Sequence, residues 1–382
     1  MIGKGSAVRK FFSSVPGRLG VAGVSLLVLP AVFAPFIANG RPLLCIRDGN
    51  WTMPFLIHFF APDSAEIFVE KCFNYLALVL PLAVLTMAAL RRRPRFRRCF
   101  LTAVALLAAL PFFLVSPRMD KLDYRARAAQ ARGVTVFAPI PYGPFEPAGV
   151  PYAPPDRAHW LGCDEIGRDV ASRLIYGART SLAVGVFATA IALAIGAAVG
   201  IAAGYWRGAF DLAVMRLVEV LMCFPTFLLL LILMSSLGDR DFGQSIPIVI
   251  AVLGFTGWIG IAFLVRGETL KQCAMPYIQS CEVSGISPAR IMFRHLLPNI
   301  SPVLLTGGVF GIAGAIMAEN GLSFLGFGVQ PPGASWGDLL RQAFANPLEY
   351  WHLTLFPGAA IFVAVISFNF IGDGIGKAIS PK

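Results

Sequence analysis

Residues 180–206, TSLAVGVFATAIALAIGAAVGIAAGYW, contain no charged side chain. As a helix this run is long enough to cross the roughly 30 Å hydrocarbon core of a bilayer. Seven more charge-free runs of about 19 residues or longer occur in the chain; they are 19–40, 72–90, 99–117, 220–238, 244–265, 296–318 and 353–372. Eight such runs predict an all-α polytopic membrane protein, because a transmembrane barrel would show short alternating segments instead.

The composition agrees with this class. Hydrophobic residues make up 57% of the chain and charged residues 14%, with a mean hydropathy of +0.71. A soluble domain is usually about half apolar and about one quarter charged. We interpret the net charge of +11 as basic loops held in the cytoplasm rather than as a nucleic-acid surface. The seven cysteines form no CxxC pair, so neither a disulfide framework nor a zinc site is predicted.

Basic residues predict the orientation of the spans. Several precede 19–40, which we interpret as a retained first span with its N-terminus inside, since no convincing cleavage site follows. Six arginines within 91–98 place that turn in the cytoplasm, so 72–90 and 99–117 form a hairpin. Parity then puts the Pro-rich loop 118–178 outside and both termini in the cytoplasm. The end of this loop, 165–178, has the period of an amphipathic helix that leads into the next span.

Small residues predict close helix packing in 180–206. Ala192, Gly196, Gly200 and Gly204 recur at four-residue spacing, and such a stripe lets two helix backbones approach closely. We interpret it as ordinary packing between membrane helices.

Catalytic motifs are weak in this chain. No Walker A sequence and no HExxH occur, and the four histidines are far apart. Gly333, Ser335 and Gly337 match the letters of a nucleophile elbow, which needs a strand before it and a helix after it. Because Pro331-Pro332 precedes them, we interpret them as a turn, and a hydrolase using Ser335 is a disfavoured hypothesis. No catalytic residue and no metal ligand is predicted.

Three segments resemble one family. Residues 277–299, YIQSCEVSGISPARIMFRHLLPN, resemble the EAA loop of bacterial ABC-importer permeases, and closely that of the oligopeptide/dipeptide permease family. Residues 160–179 are similar to the segment before that family's second span, and 319–337 to its penultimate extracytoplasmic loop. The resemblance covers about 158–382.

This resemblance implies a type I ABC-importer permease core of six spans, here with an inserted two-span hairpin, giving about eight transmembrane helices. The implied domains are 1–40 (N-terminal tail and first span), 41–117 (inserted segment with the hairpin), 118–178 (extracytoplasmic loop ending in the interfacial helix) and 179–382 (permease domain with the cytoplasmic coupling loop 267–297). The even insertion leaves the orientation of the later spans unchanged.

The resemblance also implies a function: a transmembrane pore-forming subunit of an ATP-driven importer of dipeptides, oligopeptides or peptide-like cargo. Separate ATPase subunits would dock on the EAA-like loop 277–298. Its implied coupling residues are Tyr277, Gln279, Ser280, Cys281, Glu282, Gly285, Arg294 and Pro298. The implied path or gate residues are Glu319, Asn320 and Ser323. The Glu and two Ala of the family's box are Gln279, Ser280 and Cys281 here, and adjacent Glu282 is the candidate replacement carboxylate.

The implied partners are a second homologous permease subunit, two ATPase subunits that bind ATP and Mg, an extracytoplasmic substrate-binding protein and membrane lipid. This chain itself is expected to bind no cofactor and no nucleic acid. The implied location is the bacterial inner membrane, with several passes and both termini cytoplasmic.

An ion-coupled secondary transporter is the alternative from another class. Such a carrier would usually need acidic residues at mid-membrane and internal repeat symmetry. Acidic residues are absent from the centres of all eight runs, and no clear repeat occurs. The cargo stays open among dipeptides, longer oligopeptides, peptide-like antibiotics, metal chelates and glutathione.

Overall fold

The computed structural model describes residues 4–47, 50–60, 67–89, 101–103, 107–112, 124–130, 134–238, 246–329 and 333–379. The chain is mostly helical over these ranges, as predicted. In chain order the helices are α1 (Lys4–Ser13), α2 (Val15–Val32), α3 (Ala34–Ile37), α4 (Pro54–Phe60), α5 (Ile67–Ala89), α6 (Tyr124–Gln130), α7 (Val170–Trp206), α8 (Gly208–Met222), α9 (Thr226–Gly238), α10 (Ile246–Cys273), α11 (Pro276–Val283), α12 (Pro288–Arg290), α13 (Leu297–Phe324), α14 (Trp336–Gln342) and α15 (Trp351–Ile379). A π-helical segment, Ile291–Leu296, joins α12 to α13.

Six helices in the described ranges are long and apolar enough to cross a membrane, which confirms the polytopic class. They are Val15–Val32, Phe68–Ala89, Val170–Trp206, Ile246–Cys273, Pro288–Phe324 and Trp351–Ile379. If the bent pair of helices α8 and α9 is counted as a single span, the described ranges contain seven spans.

The predicted run 220–238 is not one straight helix. α8 and α9 meet at 82°, and the break falls between Met222 and Thr226. Pro225 explains the bend, because proline lacks a backbone N–H and disfavours the α conformation at Phe224 before it. The charge-free pattern therefore located the apolar segment but missed its division.

The inserted hairpin is described only in part. α5 supplies the first of its two helices, and residues 101–103 and 107–112 of the second run are helical. The arginine turn 91–98 lies outside the described residues. The hairpin and its orientation therefore stay predictions.

A small antiparallel sheet, which was not predicted, takes two strands from the inserted segment 41–117 and one from the loop 118–178. Its strands are β1 (Leu44–Arg47), β2 (Asn50–Thr52) and β3 (Val134–Val136), in the order β2-β1-β3. Cys45 pairs with Thr52 on one side and with Thr135 on the other. Strands of three or four residues are too short to give a readable alternation of apolar and polar residues.

The chain divides into two compact units. The first comprises Met1–Ser25, Ser181–Gln330 and Ala359–Lys382, and the second comprises Leu26–Thr180 and Pro331–Gly358. In the first unit the predicted small-residue stripe packs closely on α10. Cβ atoms built at Gly196, Gly200 and Gly204 would lie 2.6–2.7 Å from atoms of that helix, a separation that only glycine permits.

In the second unit, Arg179 completes a broken helix. Pro35 has no N–H to donate to the carbonyl of Ala31, four residues earlier. The Arg179 side chain, 1% exposed, donates to the Ala31 and Val32 carbonyls at 2.6 and 3.2 Å. Its guanidinium also lies 5.4 Å from the ring of Phe73 in α5. A basic residue of the family-like segment thereby satisfies the Ala31 carbonyl, which the proline leaves without a helical partner, and the Val32 carbonyl beside it.

Candidate functional site

A short helix between two long ones carries most of the predicted coupling residues. α11 begins with Pro276, and proline is favoured at this first position because its missing N–H would have no helical partner there. The helix ends in a turn at Gly285, whose φ is +70°. The N–H groups of Gly285 and Ile286 donate to carbonyls of the last turn at 3.0 and 3.1 Å. Glycine adopts this left-handed backbone without the steric cost of a Cβ.

One side of α11 is anchored in an apolar cluster. Ile278 is fully buried there. Its neighbours in the cluster come from α7, α10, the π segment and α13; the buried ones are Ile201, Val265, Cys273, Ile291, Leu296 and Ile300. Val283, at the end of the helix, is 90% exposed. α11 is therefore held on one side while its end projects outward.

The helix after α11 changes type along its length. In the π segment Ile291–Leu296 the hydrogen bonds reach five residues back rather than four. Pro298 and Pro302 follow, and the Ser301 hydroxyl donates to the Pro298 carbonyl at 2.8 Å, which Pro302 cannot satisfy. Single π turns inside helices are frequent at functional sites. This one lies where the α11–α12 connection meets a membrane helix.

The structure places the predicted coupling residues on one continuous stretch. Most are exposed and Cys281 is partly buried; the exposed ones are Tyr277, Gln279, Ser280, Glu282, Gly285, Arg294 and Pro298. Glu282, the carboxylate beside the EAA-like box, lies near Tyr205 at the end of α7.

The Tyr277 phenol is a donor at neutral pH. Burial raises its pKa, and a hydrogen bond from Asn299 acts in the opposite direction. The net shift is upward from a value already near 10. The phenol therefore stays protonated across the physiological range.

Glu319, Asn320 and Ser323 form one buried cluster in the first unit. Glu319 is 0% exposed, and the Ser181 and Ser323 hydroxyls donate to its two carboxylate oxygens at 3.0 and 2.9 Å. The Asn320 amide donates to the Ser181 hydroxyl at 3.2 Å, and the Val329 N–H donates to Ser323 at 3.1 Å. Because a carboxylate in a membrane is costly without such bonds, the cluster ties α7 to α13 and to the turn after α13.

A cavity of about 350 Å³ lies between α7, α9, α10 and α13. Its polar side chains are Thr189, Thr226 and Thr256, and the rest of its lining is glycine, alanine, leucine and isoleucine. Ala318 lines it, whereas its neighbour Glu319 is turned into the buried cluster. Over the described residues the wall of this cavity is uncharged.

The second unit contains a buried ion-pair network of three residues from the family-like segment 160–179 and Asp338, which follows the segment 319–337. Arg168 and Arg173 reach the Asp164 carboxylate at 2.6 and 3.3 Å. Arg173 also contacts Asp338 at 3.3 Å, and all four side chains are at most 3% exposed. The four charges partner one another, as charges buried away from water require. Asp338 was not among the predicted site residues; its signal in the sequence is the oppositely charged Arg341 three residues later.

The turn interpretation of the Ser335 motif is confirmed. Ser335 caps α14, and its hydroxyl accepts a hydrogen bond from the Gly337 N–H at 3.2 Å. The residue is fully buried, so its hydroxyl has a helix-capping role. Among the described side chains, no group of three His, Cys, Asp or Glu residues could hold a metal ion.

Long membrane helices around an uncharged cavity, with a short helix projecting between two of them, define a helical membrane transport subunit. The family of binding-protein-dependent transport system inner membrane components matches residues 196–382.

Relatives extend this match towards the N-terminus. The glutathione transport system permease protein GsiD of Pectobacterium atrosepticum is 37% identical over 228 residues, covering 60% of this chain and 74% of that protein. The dipeptide transport system permease protein DppC of Bacillus subtilis is 39% identical over 230 residues, covering 60% and 70%. GsiD of Escherichia coli is 39% identical over 228 residues, covering 60% and 74%. The chain belongs to the binding-protein-dependent inner membrane component family, so it is a multi-pass transport subunit and not an enzyme.

Proposed function

We propose that this chain is the pore-forming subunit of an ATP-driven importer of peptides or peptide-like molecules. The observation that carries the proposal is the match to permeases of glutathione and dipeptide transport over 60% of the chain. Membership of the matched family argues against the ion-coupled carrier.

The proposed complex pairs this chain with a second homologous permease subunit, two ATPase subunits that bind ATP and Mg, and an extracytoplasmic substrate-binding protein. α11 is the docking helix for an ATPase subunit. Its anchored side and projecting Val283 support this role, because a docking element must be both rigidly attached and accessible. Closure of the ATPases would then move the membrane helices as rigid bodies and alternate the access of the path.

The cavity between α7, α9, α10 and α13 is this subunit's part of the cargo path. Its threonine hydroxyls and small residues offer weak contacts without charge, which suits cargo whose side chains vary. Glu319, Asn320 and Ser323 act at a gate by holding α7 and α13 together beside the path. In this proposal they fix the shape of the gate and do not touch the cargo.

The proposed orientation has both termini and the 91–98 turn in the cytoplasm, with 118–178 outside. Single cysteines replacing Arg95 and the exposed Arg157, in a cysteine-free background, should label from opposite sides of the membrane. Labelling from one side would contradict the hairpin and the orientation together.

The central test is reconstitution of the purified complex in proteoliposomes. Uptake of labelled alanyl-alanine or glutathione should require ATP, the ATPase subunits and the binding protein. Gly285→Val should leave assembly intact but uncouple ATP hydrolysis from uptake, because the left-handed turn costs a β-branched residue about 1 kcal/mol or more. Gly267→Ala is the matched control, since a Cβ there meets nothing within 4 Å. Uptake by the permease without ATPase subunits would refute the proposal.

A further inference from the structure

Four polar side chains connect the short helix α11 to both of its neighbours. Asn299 of α13 donates to the Tyr277 hydroxyl at 3.1 Å, and Tyr277 donates to the Gln272 amide oxygen at 2.8 Å. Gln272 in turn donates to the Glu268 carboxylate at 2.8 Å. Asn299 also donates to the His295 carbonyl of the π segment at 2.8 Å, which fixes its orientation. We call Asn299, Tyr277, Gln272 and Glu268 the polar chain.

The donors of the polar chain all point the same way. Each bond runs towards Glu268, so the chain ends on a carboxylate that only accepts. Lys271 lies 3.6 Å from that same carboxylate. Hydrogen bonds in one direction polarise each other, and those that end on a charged group are stronger than neutral ones.

The polar chain adds a restraint that the apolar cluster gives only weakly. Ile278 and the partly buried Cys281 pack one side of α11 on the apolar cluster and set how deeply the helix lies. Apolar contacts are non-directional, so they restrain rotation of a short helix about its axis less than a hydrogen bond does. Tyr277 is adjacent to Ile278, about 100° away around the helix. Two anchors at that angle fix the rotation of α11 as well as its depth.

We infer, on the basis of the proposed function, that Glu268, Gln272 and Asn299 are positioning residues. Through Tyr277 they lock the docking helix to the ends of α10 and α13. Movement imposed on α11 by a docked subunit then reaches both membrane helices together. A docking helix that rolled would lose part of that movement.

The first measurement is the mobility of a spin label at Val283→Cys in a cysteine-free complex in lipid bilayers. Tyr277→Phe keeps the ring and removes both hydroxyl bonds. We expect the mobile fraction of the spin label to be about fivefold larger than in the complex with Tyr277, which corresponds to the loss of roughly one net hydrogen bond. Asn299→Ala should act in the same direction. Thr306→Ala is the matched control, because its hydroxyl bonds only to the Pro302 carbonyl of its own helix.

The second measurement is cargo imported per ATP hydrolysed by the complete complex, with alanyl-alanine and glutathione as probes. Tyr277→Phe should lower this ratio about fivefold, and adding Gln272→Ala should lower it little further, since both act on one chain. An immobile label in Tyr277→Phe would refute the locking, and a mobile label with an unchanged ratio would refute its part in coupling. Val283→Asp tests the docking assignment separately: unchanged import there would contradict the proposed function rather than the polar chain.

Discussion

Replacing Gly200 by alanine should separate two membrane helices that now touch through their backbones. A Cβ at this position would lie 2.6 Å from the Ala262 carbonyl oxygen and 2.8–2.9 Å from side-chain carbons of Val265. The nearest atom is backbone, so no rotamer change can relieve the contact and α7 and α10 must move apart. Gly267 lies on α10, the helix that Gly200 of α7 faces, yet a Cβ at Gly267 meets nothing within 4 Å.

Both substitutions replace a helical glycine by alanine, but only Gly200→Ala creates this contact. Each gains about 1 kcal/mol from the better helix propensity of alanine over glycine. Overpacking at position 200 costs about 1–3 kcal/mol. The difference between the two variants is therefore the overpacking cost alone. At roughly 1.2 °C per kcal/mol for a chain of this length, Gly200→Ala should melt about 1–4 °C below Gly267→Ala.

Thermal unfolding of the purified variants, followed by size-exclusion chromatography after heating, measures this difference in one detergent and lipid mixture. Gly267→Ala should be at least as stable as the unaltered chain. Equal midpoints for the two variants would show that α7 and α10 do not approach as closely as described, and the reasoning about the stripe would be wrong.

Three further predictions concern other buried groups. Arg179→Met removes two charge-assisted hydrogen bonds worth about 1.5–3 kcal/mol each, so its melting midpoint should fall well below that of the exposed control Arg157→Met. Glu319→Gln leaves one serine hydroxyl without its acceptor, so the free energy of unfolding should fall by about 1–3 kcal/mol. Uptake of cationic and anionic peptides should slow equally. A selective loss of cationic uptake would instead place the carboxylate in the path. Burial raises the pKa of the Cys163 thiol to about 11, so in single-cysteine variants at pH 8 it should react with maleimide far more slowly than a cysteine placed at the exposed Arg157; equal rates would contradict its burial.

The membrane helices could be predicted because bilayer thickness sets both their length and their composition. The bend between α8 and α9 could not be found in this way, since a charge-free run is the same whether straight or broken. Pro225 was the available signal. The strands of the small sheet carry only three or four residues each, and the family resemblance did not extend to them.

The coupling region could be located from its motif, but its contacts could not. Residues 277–299 identify the segment by their order, and the structure places a helix with a glycine turn there. Sequence spacing does not show that Asn299 meets Tyr277, or that Gln272 and Glu268 continue the chain. These contacts depend on how three helix ends converge, which is a tertiary property.

The π segment Ile291–Leu296 determines how α13 is rotated about its own axis. Its hydrogen bonds span one residue more than those of an α-helix, and each residue turns a helix by about 100°. The face that α13 presents to α7 therefore depends on this segment as well as on the side chains of α13, because the π turn sets the rotation of α13 about its own axis. A one-residue deletion or insertion within 291–296 would change this angle along the whole of α13, far from the position altered.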